Sequence, residues 1–139
     1  VDCAQMLVKT KHIDRWQQRR REIAAYWVDR FKDTQGLRTL ITANNIRDHG
    51  LQKFALEIDH RDAIMEQLSL RKIETKIHYR YPLHEVGVYA TSCGGPDFFA
   101  AASSLARRCL SLPFYPELSD LQVEYIADQV ISLVISHAV

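Results

Sequence analysis

Apolar residues recur at helical spacing over the first quarter of the chain. The pattern predicts one long amphipathic helix from about Val8 to Asp33, with polar side chains on the opposite face. Its apolar face carries Ile13, Trp16, Ile23, Trp27 and Phe31. Gly36 follows, as is typical of a helix end. A face with this aromatic content must pack against another element.

The next segments alternate between apolar and polar residues and predict strands. The first two predicted strands are Leu37–Ile41 and Lys53–Ile58. The segment before the third predicted strand, Arg61–Leu70, is spaced as a short helix. Lys72–Arg80 alternates again, which places Lys76 and His78 on its polar face and Tyr79 on the other.

The last third of the chain predicts two further helices. Residues 82–95 form an irregular loop in this interpretation, and a helix follows from Gly94 to about Cys109. The inner face of that helix is predicted to be Phe98, Ala102, Leu105 and Cys109. Ser119 and Gln122 match a capping box that opens the last helix, which has a continuous apolar stripe.

The order of these elements is helix, strand, strand, helix, strand, helix, helix. A small antiparallel or mixed sheet packed by helices is the simplest layered solution, so the predicted class is α+β. The length of 139 residues and the apolar fraction of 47% fit a single domain over residues 1–139.

Charge and cysteine content exclude several classes of function. Lys and Arg number 18 against 17 Asp and Glu, so no nucleic-acid or anionic-membrane partner is expected. Cys3, Cys93 and Cys109 are scattered without metal-ligand spacing, which favours a reducing cytoplasm and no metal site. No apolar run approaches the roughly 20 residues of a membrane span, and the start does not resemble a signal peptide.

The chemistry-bearing residues do not form a catalytic motif. No lysine lies beside a Gly- or Ser-rich phosphate loop, so we predict no cofactor-bearing residue and no catalytic residue in this chain. His78 and Tyr79 precede the loop, where imidazole and phenol groups could donate hydrogen bonds to phosphate or sugar oxygens. The alternative is that Tyr79 is a core residue and His78 is merely exposed. Arg80 and His84 are weaker candidates, and we interpret His84 as solvent-exposed.

Three stretches together resemble one known family. They are Lys11–Trp16 continuing through Arg19–Ala24, then Arg61–Ala63 with Ile73–Tyr79 and Pro82–His84, and finally Leu110–Leu118 with Asp120 and Gln122–Val123. In this order and spacing they are similar to the C-terminal portion of the DegT/StrS sugar aminotransferases. The resemblance covers nearly the whole chain, from about Val8 to Val134.

The resemblance implies the C-terminal small domain of the aspartate aminotransferase fold. Such enzymes use pyridoxal phosphate to move an amino group, usually from glutamate, to a keto sugar nucleotide for polysaccharide or lipopolysaccharide biosynthesis. The family's Schiff-base lysine lies in a large N-terminal domain that this sequence does not match. We therefore expect no cofactor in this chain, no catalysis by it alone, and substrate contact at His78 and Tyr79. Arg80 departs from the family's usual small residue or proline, which leaves the substrate preference open.

Other functions remain open at this point. The chain could be half of a split aminotransferase whose large domain is a separate polypeptide, or it could self-associate through the first helix. It could also be a non-catalytic metabolite-binding or dimerisation module, or a truncated gene product.

Overall fold

The computed structural model describes residues 2–90 and 96–137, with side chains for residues 3–89 and 98–137. Its helices are α1 (Asp2–Thr10), α2 (Ile13–Phe31), α3 (Arg61–Leu70), α4 (Gly87–Ala90), α5 (Ala100–Arg108) and α6 (Asp120–His137). Its strands are β1 (Leu37–Thr39), β2 (Phe54–Ile58) and β3 (Cys109–Leu112), and 3₁₀ turns span Leu83–Glu85 and Pro96–Phe99. Cys93 lies outside the described residues.

The hydrophobic core forms where α2 and α6 pack beside the sheet. Trp27 lies at its centre, 0% exposed, with its ring 5.0 Å from that of Phe54. Its indole Nε1 donates a hydrogen bond to the carbonyl of Val123 at 3.0 Å, so the polar atom of this large side chain is paired inside the core. The predicted apolar stripes of both long helices therefore meet each other.

The sheet is antiparallel with strand order β1-β2-β3, and it confirms the predicted α+β class. The third strand is not the predicted one. Lys72–Arg80 contributes a single bridge, Lys76 to Ser111, and Lys72 has a positive φ of 63° that interrupts extended backbone. Cys109–Leu112 is the real strand; it is buried at all four positions, so it has no polar alternation to reveal it.

The predicted helix over Val8–Asp33 is two helices. A turn at Lys11 and His12 separates α1 from α2, and Ile13 is 51% exposed. The capping box is confirmed, because the backbone N–H of Gln122 donates to Ser119 Oγ at 3.3 Å and Ser119 N–H donates to Gln122 Oε1 at 3.0 Å.

The predicted inner face of the helix over Gly94–Cys109 is wrong. Phe98 is 78% exposed, and Cys109 belongs to β3, whereas Ser103 and Ala106 are the buried positions of α5. The predicted helix is a 3₁₀ turn, Pro96–Phe99, followed by the shorter α5, and α5 packs through the face of Ser103 and Ala106 because those residues meet His84 and Arg61 from distant parts of the chain.

Buried charge fixes α5 against the sheet. Arg61, only 6% exposed, donates to the carbonyls of Ala106 and Cys109 at 2.9 and 3.2 Å, where the helix ends. On β2, Glu57 is 7% exposed and pairs with Arg38 and with Arg108 of α5. Each buried ion has partners, as burial requires.

Candidate functional site

His78 lies beside β3, on the segment that follows the Lys76–Ser111 bridge. Its Nδ1 is 2.9 Å from Ser111 Oγ, and its carbonyl accepts a long contact of 3.6 Å from Cys109 Sγ. The Ser111 residue is 4% exposed and also exchanges both backbone hydrogen bonds with Lys76. A buried hydroxyl therefore fixes one ring nitrogen of His78 and leaves the other edge of the ring for a ligand.

A basic cleft of about 620 Å³ opens in front of His78. Its volume falls within the roughly 300–1,000 Å³ of ordinary small-molecule sites. The positive side chains on its wall are Lys53, Arg71, Lys72 and Lys76, against one carboxylate, Glu74. We call this surface, together with His78, the basic cleft.

Aromatic side chains complete the wall of the basic cleft. Phe114 and Tyr115 come from the extended segment after β3, and Tyr125 comes from α6. Tyr115 and Tyr125 are 44% and 47% exposed, so each presents ring surface to solvent. Positive charge combined with aromatic surface is suited to an anion that carries a ring.

The electrostatics at His78 reflect this concentration of cations. Burial lowers the pKa of His78 below its ordinary value, and the positive charges of Lys53 and Lys76 lower it further. Both effects favour the neutral form of the imidazole in the free protein. An anion bound in the cleft would offset the two ammonium charges and make protonation of His78 easier.

Tyr79 does not enter the core. It is 72% exposed, its ring lies 5.7 Å from the His78 ring, and Lys53 Nζ is 5.4 Å from its centroid. The alternative that made Tyr79 a core residue is therefore wrong. Arg80 is half exposed and lies 3.6 Å from Asp62, away from the cleft lining.

A second depression, the apolar groove, lies on the other side of His78. It has a volume of about 310 Å³ and runs between the 79–83 segment and α5. Its lining includes Tyr79, Tyr81 and Leu83 on one side and Ala102 and Leu105 on the other. His78 borders both the basic cleft and this groove.

His84 is buried, which corrects its interpretation as solvent-exposed. Its Nε2 lies 3.0 Å from Ser103 Oγ, its ring packs 4.9 Å from Phe99, and the residue is 9% exposed. Ser103 also donates to Glu85 Oε1 at 2.5 Å. Because the Ser103 hydroxyl donates its proton to Glu85, the hydrogen bond between His84 and Ser103 is donated by His84. The histidine therefore does not accept the serine proton as a base, and these residues do not form a serine–histidine–acid nucleophile.

The described residues do not fit a pyridoxal phosphate Schiff base. All six lysines are exposed or partly exposed, and Lys76 and Lys32 lie beside carboxylates at 3.4 and 2.8 Å. A Schiff-base lysine needs an enclosed, desolvated setting. Cys109 is 3% exposed and burial raises the pKa of its thiol, which disfavours the reactive thiolate form.

Residues 2–90 and 96–137 bring together no cluster of His, Cys, Asp and Glu that could hold a metal ion. In the same residues, no helix is sufficiently long and apolar to span a bilayer.

The cleft itself was not predicted from the sequence. Its residues come from the segment before β2, the segments after α3 and around His78, the end of β3 with the extended segment that follows it, and α6, so no local pattern unites them. The one available signal was the placement of Lys76 and His78 on the same polar face two residues apart.

Comparison with known proteins agrees with the fold. The S. venezuelae DesV structure, solved with a ketimine intermediate, matches at a TM-score of 0.84 and 28% identity, over 94% of this chain and 35% of that chain. The chain is 29% identical to the dTDP-3-amino-3,4,6-trideoxy-alpha-D-glucose transaminase of Streptomyces venezuelae, covering 94% of this chain and 34% of the relative.

A third relative carries a regulatory name. The chain is 32% identical over 126 residues to the erythromycin biosynthesis sensory transduction protein EryC1 of Saccharopolyspora erythraea, covering 91% of this chain and 34% of that protein. The chain thus spans about a third of the length of the relatives that it matches. The model of the DegT/DnrJ/EryC1/StrS aminotransferase family matches residues 1–131. The resemblance to DegT/StrS aminotransferases is therefore confirmed: this chain belongs to the DegT/DnrJ/EryC1/StrS aminotransferase family.

Proposed function

We propose that this chain is the substrate-contacting small domain of an aminotransferase that acts on keto sugar nucleotides. The basic cleft carries the proposal, because its cations converge beside His78 and a sugar nucleotide brings a diphosphate and a base ring. In this assignment Lys53, Lys76 and His78 contact the diphosphate, and Tyr79 contacts the ligand from the rim.

The chain supplies binding and orientation in this proposal, and the carbonyl chemistry comes from pyridoxal phosphate held elsewhere in the enzyme. That division follows from the lysines, none of which is buried. A fixed diphosphate would hold the keto sugar at a defined distance from the cofactor, which lowers the entropic cost of reaction. The isolated chain is accordingly expected to bind substrate without transaminating it.

The test is a calorimetric titration of the isolated chain with dTDP, with UDP and inorganic pyrophosphate as parallel probes. A cation about 4 Å from a phosphate in water contributes about 1 kcal/mol, so Lys76→Gln should weaken dTDP binding about fivefold. Lys9→Gln removes an equal charge from α1, outside the cleft, and should leave binding unchanged. No dTDP binding, or equal loss in both variants, would refute the assignment of the cleft.

The regulatory name of EryC1 favours a second candidate, a metabolite-binding module without catalysis. Both candidates predict ligand binding, so activity must separate them. A hybrid in which this chain replaces the matching third of the S. venezuelae transaminase should aminate that enzyme's substrate under the first candidate. A folded, cofactor-loaded hybrid that binds the sugar nucleotide but never transaminates it favours the second.

A further inference from the structure

The basic cleft has two ends of different chemistry. At one end, Lys53 and Lys76 lie close enough to His78 for their positive charges to lower its pKa. At the other end, Tyr115 and Tyr125 line the cleft, and each ring is partly open to solvent. The first end suits phosphate groups. The second suits a flat base ring, because every base has an aromatic face that can stack on a tyrosine.

The register of the chain sets the distance between the two ends. Lys76 and Ser111 exchange both backbone hydrogen bonds, at 3.0 and 2.7 Å, in an antiparallel bridge. From this bridge one segment leads back to Arg71 and the other leads on to Tyr115, and the Tyr125 hydroxyl lies 3.5 Å from the carbonyl of Arg71. The extended chain from Ser111 to Tyr115 spans about 13 Å. A nucleoside diphosphate is of this length, with its phosphates and its base at opposite ends.

The floor of the tyrosine end is apolar. Ile73, Leu118 and Ile126 line the cleft there and are all buried. A base ring seated on this floor lies beside Tyr115 and turns its polar edge towards the groups at the rim. The hydrogen-bonding roles of those groups then decide which base fits.

Gln122 supplies a hydrogen-bond donor at the rim. Its Oε1 accepts from the backbone N–H of Ser119 at 3.0 Å and from the Ser119 hydroxyl at 3.2 Å. Because a backbone N–H can only donate, the amide atom that faces it is the oxygen, and Nε2 is turned away from the cap. Among the described residues, that Nε2 makes no hydrogen bond, so both of its protons are available to a ligand.

Tyr125 supplies an acceptor on the same helix face, three residues after Gln122. The carbonyl of Arg71 can only accept, so the phenol proton is directed to it and the phenol oxygen is left to accept. A donor beside an acceptor matches a base with a carbonyl next to a ring N–H, as in uracil and thymine. Cytosine and adenine present the reverse, an amino group next to a ring nitrogen that accepts.

We propose that Gln122 and Tyr125 read the base of the nucleotide in the basic cleft and select uracil or thymine over cytosine or adenine. This inference rests on the proposed function, because it requires the diphosphate at the end of the cleft that holds Lys76 and His78. Tyr115 supplies the stacking surface. These residues determine which nucleotide is held, and they take no part in the transfer of the amino group.

The test is a calorimetric titration of the chain with UDP and with CDP at pH 7.5. The two ligands carry the same phosphates and differ only in the polar edge of the base. UDP should bind at least about fivefold more tightly than CDP, the low end of the discrimination that paired side-chain contacts to a base provide.

Gln122→Glu should invert this preference. Glutamate keeps an acceptor for the capping box but exchanges the amide donor for a second acceptor. The added negative charge weakens both ligands, so the readout is the ratio of their affinities. CDP should bind the variant at least as tightly as UDP, because a carboxylate accepts from the amino group of cytosine.

Gln129→Glu provides the matched control. It makes the same change on α6 outside the cleft lining, and glutamate can still accept the hydrogen bond that Arg71 donates there at 2.6 Å. The preference for UDP should persist. Tyr125→Phe gives an independent reading that does not touch the cap: it keeps the ring, removes the oxygen and should weaken UDP about threefold while sparing CDP.

Equal affinities of the unmodified chain for UDP and CDP would overturn the inference. An affinity ratio that neither Gln122→Glu nor Tyr125→Phe changes would overturn it as well. The failures of the two proposals are distinguishable. Equal binding of UDP and CDP that Lys76→Gln weakens rejects the base assignment alone. No binding of UDP, CDP or inorganic pyrophosphate rejects the cleft assignment, and the base assignment with it.

Discussion

The region around Trp27 and the region around His78 differ in how they are held. Trp27 is fully buried among helices and strands, and its one polar atom bonds to a backbone carbonyl. His78 lies in a segment with one β-bridge, fixed by side-chain contacts to Ser111 and surrounded by cations. The first arrangement maximises burial, and the second concentrates positive charge beside a cleft. The difference separates the residues that hold the fold from the residues placed to meet a ligand.

The largest expected effect on the free energy of unfolding comes from truncating the two tryptophans of α2, one in the core and one partly exposed. Trp27→Ala leaves a large cavity in the core and should lower the free energy of unfolding by about 3–5 kcal/mol. Trp16→Ala, at a partly exposed position of the same helix, should cost about 1 kcal/mol or less. Urea unfolding followed by circular dichroism measures both. Equal losses would mean that the core does not centre on Trp27.

Removal of the Ser103 hydroxyl should loosen the 83–90 segment, which follows His78 in the chain, and spare the core. Ser103→Ala leaves His84 and Glu85 without their shared partner, at a cost of about 1–3 kcal/mol for a buried unsatisfied group. Hydrogen exchange should therefore accelerate over residues 83–90 while the amides of α6 keep their protection.

The neighbouring serine provides the control for that measurement. Ser104→Ala changes the same atom at a partly exposed position of α5 and should leave exchange over residues 83–90 unaltered. If Ser103→Ala accelerated exchange in α6 as much as in the 83–90 segment, the two regions would not be separable units.

The sequence was informative where the determining contacts are local. Periodicity located Trp27 on a buried face, and the Ser119–Gln122 spacing predicted the start of α6 because a capping box involves four consecutive residues. It misplaced the third strand, because Cys109–Leu112 is covered on both faces and has no alternation.

The site was less predictable because its contacts are long-range. His78 bonds to Ser111, which is 33 residues away, and Ser103 was missed because its partners His84 and Glu85 lie 19 and 18 residues away. No pattern within a single element encodes such contacts. His84 was interpreted as exposed for the same reason, since its burial depends on Ser103 and Phe99 from the other side of the groove.

The smallest expected effect is the pH dependence of dTDP binding through His78. The pKa of His78 in the free protein lies below its ordinary value of about 6.5, because burial and two lysines disfavour the charged form. A bound diphosphate favours that form and raises the pKa, so binding takes up a proton and tightens as the pH falls between the two values.

The gain through His78 is limited to about fivefold, the value of one ion pair in water. Because the ligand's own phosphate also titrates in this range, the measurement is the difference between the unmodified chain and His78→Asn, titrated with dTDP at pH 5.5, 6.5 and 7.5. Asn places an amide near the position of Nδ1, which preserves a contact with Ser111 but removes the ionisable ring. A steeper rise in affinity at low pH for the unmodified chain supports His78 as a diphosphate contact. Parallel curves would place the ligand away from His78. The role of Trp27 in the core would then stand, but the assignment of the His78 region to ligand contact would be rejected.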